Sequence, residues 1–147
     1  MTESPLVVLV ERLLPAPPDA VYDEWLDPET LREWICPRPA RPVRIDIEPR
    51  PGGRLRIEAE EHQSTFEITG EYLTLDRPRL LAFTWSCSAW PNPDLITVVT
   101  VTLGPHGDAR TQMSIRHSRL PQEQRPSHQA GWTLIADQLG KRLSARA

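Results

Sequence analysis

The apolar residues change period once along this chain, and that change sets the architecture. From Val43 to about His117 they recur at every second position, and Gly, Pro and Asp clusters cut the alternation into strands. From Pro126 nearly to the C-terminus the spacing is helical, with Trp132, Ile135, Ala136, Leu139 and Leu143 on one stripe. Ahead of the alternating region stand a first strand, Leu6 to Leu14, and two short helices. Antiparallel strands that bury one face need an apolar cover, and the terminal helix is the long amphipathic element able to supply it. The pattern predicts an α+β domain of order β-α-α-β6-α. A curved antiparallel sheet wraps around the long C-terminal helix, and the two enclose an apolar cavity. At 147 residues this is one domain, residues 1–147, with its core at about 6–143.

Local signals fix the smaller parts. Pro15, Pro17 and Pro18 end the first strand, and a helix runs from Pro18 to Leu26 with Asp19 at its positive end. Asp27 followed by Pro28 starts a second helix that carries Leu31, Trp34 and Ile35. Three prolines between Cys36 and Pro42 exclude regular structure and suit a loop over a pocket mouth. The next strands turn Val43, Ile45 and Ile47 inward, then Leu55, Ile57 and Ala59. Phe66 and Ile68 follow, and the apolar phase shifts at Gly70, where a bulge would let the sheet curl. Leu81, Phe83, Trp85 and Cys87 share a face, Ser88 to Asp94 is a loop around Trp90, and Leu95 to Leu103 is the sixth strand. Met113, Ile115 and His117 share a face of the last.

Composition and motifs exclude several functions. A net charge of −3 argues against nucleic acid or anionic membrane as partner. Lys141 is the sole lysine among 17 basic residues, a bias of GC-rich bacterial genomes. Cys36 and Cys87 have neither metal-site spacing nor a disulfide framework, and read as buried free thiols. No leader peptide and no membrane-length apolar run is evident, which leads us to expect a cytoplasmic protein. No histidine or cysteine spacing suits a metal, no nucleophile motif is present, and Gly52-Gly53 is a hairpin turn rather than a phosphate loop. No cofactor is expected.

Several short pieces stand in a recognisable order: Asp27-Pro28-Glu29 leading to Trp34, Arg50-Pro51-Gly52-Gly53, Gly70-Glu71-Tyr72-Leu73, Pro78 followed by Leu80 to Trp85, Val99-Thr100-Val101, and Gly131-Trp132. Together they resemble the activator of heat-shock protein 90 ATPase homologue-like domain, within the START/polyketide-cyclase superfamily of helix-grip folds, over about Leu6 to Leu143. The resemblance implies the same architecture, with the terminal helix closing an apolar cavity against the sheet. It implies function less closely, because one fold serves many sites. Apolar-ligand binders, cyclases and lipid carriers occur among the relatives.

The cavity lining is expected from inward strand positions and the helix stripe: Trp34, Phe83, Trp85, Met113, His117, His128 and Trp132, with Ile57 and Phe66 deeper. Five tryptophans, against two tyrosines and two phenylalanines, favour a lined cavity for a hydrophobic, aromatic molecule. His117 is a candidate acid or base, or else a satisfied core imidazole. His128 stands one turn before Trp132; His62 and His106 fall in turns and receive no role. The leading expectation is small-molecule binding without covalent chemistry. The alternatives are a cyclase- or hydrolase-type enzyme using a cavity histidine, and a protein-interaction or chaperone co-factor module presenting Trp90, with homodimerisation through the sheet or that loop.

Overall fold

The computed structural model describes residues 7–146. The first strand, β1, is Val7–Leu14, so Leu6 lies outside the described residues; helices α1, Pro18–Leu26, and α2, Pro28–Leu31, follow. Six strands come next: β2 Arg41–Ile47, β3 Arg54–Glu61, β4 Ser64–Asp76, β5 Leu80–Cys87, β6 Thr97–His106 and β7 Arg110–Ser118. A single 3-10 turn at Gln122–Gln124 leads into α3, Arg125–Arg146. All seven strands form one curved antiparallel sheet in the order β1-β7-β6-β5-β4-β3-β2. No helix among the described residues is long and apolar enough to cross a membrane.

The alternating pattern becomes the inner face. Leu55, Ile57 and Ala59 of β3 are buried, as are Leu81, Phe83, Trp85 and Cys87 of β5 and Met113, Ile115 and His117 of β7. The α3 stripe of Trp132, Ile135, Ala136, Leu139 and Leu143 is buried against them. The outer face carries ion pairs such as Arg44–Asp46 at 2.9 Å and Arg56–Glu67 at 2.7 Å, which add little stability in solvent. At the β1 edge α3 covers the sheet: Gln129 Nε2 donates to the Leu9 carbonyl at 3.0 Å, and Arg12 pairs with Asp137.

Four local expectations need correction. Helix α2 stops at Leu31, because the amides of Glu33 and Trp34 reach back to i−3 carbonyls, Thr30 at 3.0 Å and Leu31 at 3.2 Å. Trp34 and Ile35 are nevertheless buried, carried by this tightened turn. Val43 faces outward, 51% exposed, because the register slips between Pro42 and Arg44 at the sheet edge. The phase shift in β4 falls between Tyr72 and Thr74 rather than at Gly70. Gly70 instead permits close approach: a Cβ there would stand 2.0 Å from the Thr84 carbonyl oxygen of β5. The sixth strand begins at Thr97, two residues after the expected start, and continues to His106.

Candidate functional site

A pocket of about 180 Å³ opens between the first half of α3 and the inner face of β4 and β5. Helical spacing brings Ser127, His128, Gly131, Trp132 and Ile135 onto the pocket face of α3. Phe66 and Ile68 contribute from β4, and Trp85 and Cys87 from β5. Pro37 and Ala40, from the proline-rich loop between α2 and β2, form the rim with Glu61 at the end of β3. Gln138 of α3 straps that loop in place. Its Nε2 donates to the carbonyls of Trp34 at 2.9 Å and Cys36 at 2.8 Å, and its Oε1 accepts from the Arg38 amide at 3.0 Å.

Behind the aromatic wall runs a buried polar chain. Trp132 Nε1 donates to His117 Nδ1 at 2.9 Å, which leaves the His117 hydrogen on Nε2. His117 Nε2 donates to Thr97 Oγ1 at 2.6 Å, and the Thr97 hydroxyl donates to the Trp85 carbonyl at 2.6 Å. Burial, with the neighbouring His128 adding to it, pushes the His117 pKa down to about 3. A proton on Nδ1 would break the Trp132 bond. His117 is therefore a neutral, fully used imidazole that holds the Trp132 indole directly and, through Thr97, the Trp85 backbone carbonyl; the two tryptophan ring centroids lie 5.2 Å apart.

His128 differs. Its Nδ1 donates to the Gln124 carbonyl at 2.9 Å, and Nε2 has no hydrogen-bond partner among the described residues. Burial lowers its pKa as well, so the ring is neutral near pH 7. Trp90 folds back with its ring 5.5 Å from His128 and packs against the core of its own domain. Burial raises the Cys87 thiol, and pushes Cys36 up to about 12, so neither is a thiolate nucleophile. Among the described residues no group of three or more His, Cys, Asp or Glu side chains could hold a metal.

Comparison with known proteins gives the family and the fold. The family model described as activator of Hsp90 ATPase homolog 1-like protein matches residues 15–144. The chain belongs to this family. A solved protein of Chromobacterium violaceum is similar at 25% identity and TM-score 0.83, over 95% of this chain and 98% of that one. The AHSA1 protein of Silicibacter pomeroyi is similar at 21% identity and TM-score 0.83, over 96% and 99%. A Nitrosomonas europaea protein follows at 22% identity and TM-score 0.81, over 96% of each. Likeness at these identities carries the fold. A search of curated proteins gives no match.

In this member of the Hsp90-activator-like family the expected site residues divide. Phe66, Trp85, His128 and Trp132 come together around the pocket. Trp34, Ile57, Phe83, Met113 and His117 do not line it; they are packed core, each at most 3% exposed. Trp34 lies at the other end of the helix layer, where its Nε1 donates to Glu24 Oε1 at 3.1 Å and its ring meets Trp25 edge-on at 4.7 Å. The lining residues not singled out from the sequence were Pro37, Ala40, Ser127 and Gly131, with Ile68, Cys87, Ile135 and Glu61. Gly131 carried a readable signal: glycine inside a helix costs stability and marks a place where space is kept.

Proposed function

We propose that this protein binds a small, largely apolar aromatic molecule in the pocket beneath the first half of α3 and performs no covalent chemistry on it. The observation that supports this is the pocket itself, walled by Trp85, Trp132, Phe66, Ile68 and Ile135. Its volume of about 180 Å³ suits one substituted ring, since an apolar cavity of roughly 150 Å³ accepts benzene. Apolar-ligand binding is also common among proteins of this fold. The histidine best placed for acid–base work from the sequence, His117, has both nitrogens engaged.

Thermal unfolding of the pure protein against substituted benzenes, bicyclic aromatics and fatty acids tests the proposal. A ligand at 100 times its dissociation constant adds about 2.7 kcal/mol, which is several degrees for a domain of this size. Gly131→Leu is the matched control. A Cβ at Gly131 meets its nearest neighbour, Pro37, at an unstrained 3.9 Å, so a side chain can start there without a clash, and a leucine at this lining position is expected to occupy the pocket. Shifts present in the wild type and absent in the blocked protein support the reading. Equal shifts in both proteins, or none in the wild type across all classes, overturn it.

A further inference from the structure

We infer that the molecule this pocket takes is an uncharged aromatic bearing a hydroxyl, held as a hydrogen-bond donor to His128, rather than a carboxylate. The inference rests on the binding reading above and specifies its ligand. Ser127 and His128 both line the pocket, and both spend a hydrogen on the same carbonyl: Ser127 Oγ donates to Gln124 O at 3.0 Å, and His128 Nδ1 donates to it at 2.9 Å. What the two side chains have left to offer a ligand is lone pairs, on Ser127 Oγ and on His128 Nε2. The third polar group at the pocket, the Glu61 carboxylate, is also an acceptor and carries a negative charge. Among the described residues no arginine or lysine lines the pocket, although the outer faces of β2 and β3 carry several arginines. A carboxylate would thus meet lone pairs and a like charge with no cation to offset them.

A donor meets a complementary site. The Trp132 N–H is already used by His117, while Trp85 makes no hydrogen bond through its indole N–H among the described residues. A hydroxyl donates and accepts, so it can serve His128 Nε2 and still take a hydrogen from the wall. An ether or a bare hydrocarbon leaves the His128 lone pair unanswered in a half-buried setting.

Calorimetric titration of the full chain with four probes of one shape decides the matter: ethylbenzene, para-ethylanisole, para-ethylphenol and para-ethylbenzoate. The expected order places para-ethylphenol about fivefold tighter than para-ethylanisole, the worth of one neutral hydrogen bond, with para-ethylbenzoate weakest. His128→Phe should bring the phenol and the ether to equal affinity while ethylbenzene binding persists. Equal affinity of phenol and ether in the wild type, or tightest binding of the benzoate, overturns the inference and leaves the aromatic pocket standing. Failure of all four probes to bind removes the pocket reading and the inference with it.

Discussion

The two halves of α3 cover the same sheet in opposite ways. Along the second half, Ala136, Leu139 and Leu143 are packed to near-zero exposure, and Glu24, Arg142 and the Trp34 indole are joined by hydrogen bonds. Glu24 of α1, 2% exposed, accepts from Arg142 Nε at 2.7 Å and from Trp34 Nε1 at 3.1 Å, so one carboxylate ties α1, the turn after α2 and α3 together. Along the first half the donor hydrogens of Ser127, His128 and Trp132 are spent away from the gap. Ser127 and His128 bond back to their own helix start, Trp132 bonds back to β7, and Gly131 withholds a side chain. One end is closed by mutual satisfaction; the other is kept open by hydrogen bonds directed elsewhere. A helix-grip domain thus keeps a pocket at one end of a continuous core by local choices on a single helix.

That contrast can be broken most severely at the closed end. Glu24→Ala leaves Arg142 and the Trp34 indole without their carboxylate, and should cost about 3–5 kcal/mol in urea unfolding. Retention of ligand-induced stabilisation by the protein that still folds would show the two ends to be independent. A loss below about 1 kcal/mol would mean that the ion pair does not hold this end. At the open end, Gly131→Leu should abolish the roughly 2.7 kcal/mol of ligand stabilisation at 100 times the dissociation constant. The unliganded variant should be no less stable than the wild type, and up to about 1 kcal/mol more so from helix propensity.

Acid probes the chain behind the pocket wall. The His117 pKa is depressed in the folded protein, to about 3 from an ordinary 6.5, so the unfolded chain takes up the proton first. Its contribution is complete above pH 6.5 and is lost as pH falls from there towards 3; by pH 5 the loss is about 2 kcal/mol. His128, lowered too, acts in the same direction. A His117→Gln protein should therefore lose less stability between pH 7 and pH 5 than the wild type does. Equal losses would contradict a buried neutral imidazole. The smallest effect concerns the rim: Gln138→Leu removes three hydrogen bonds to the proline-rich loop, part of them replaced by water, and should cost about 1–2 kcal/mol. Faster amide exchange at Arg38 and Ala40, with weaker ligand binding, is the expected signature.

Period alone shows which side chains face inward, and here it did so for β3, β5, β7 and α3. It does not show where along the inner face the atoms stop filling the space. Trp34, Ile57, Phe83, Met113 and His117 share that face with Trp85 and Trp132, yet the gap lies at one end, set by Gly131 and the proline-rich loop. His117 was legible as a histidine on an apolar face, but its neutral state depends on Thr97 and Trp132, which stand 20 and 15 residues away in sequence. The outward turn of Val43 and the displaced shift in β4 came from strand register, which a change of one residue inverts. Pro37 and Ala40 fall within the loop expected over the pocket mouth, because three prolines leave that segment no regular partner.

The tryptophans report on the two ends separately: Trp25 and Trp34 at the closed end, Trp85 and Trp132 at the pocket. The most direct measurement is a heteronuclear NMR titration of the five indole N–H resonances with para-ethylphenol. The expected result is saturable shifts at Trp85 and Trp132, with Trp25 and Trp34 unmoved. Saturable shifts confined to Trp25 and Trp34, or no shift at Trp85 and Trp132 at saturating ligand, would contradict a binding site beneath the first half of α3.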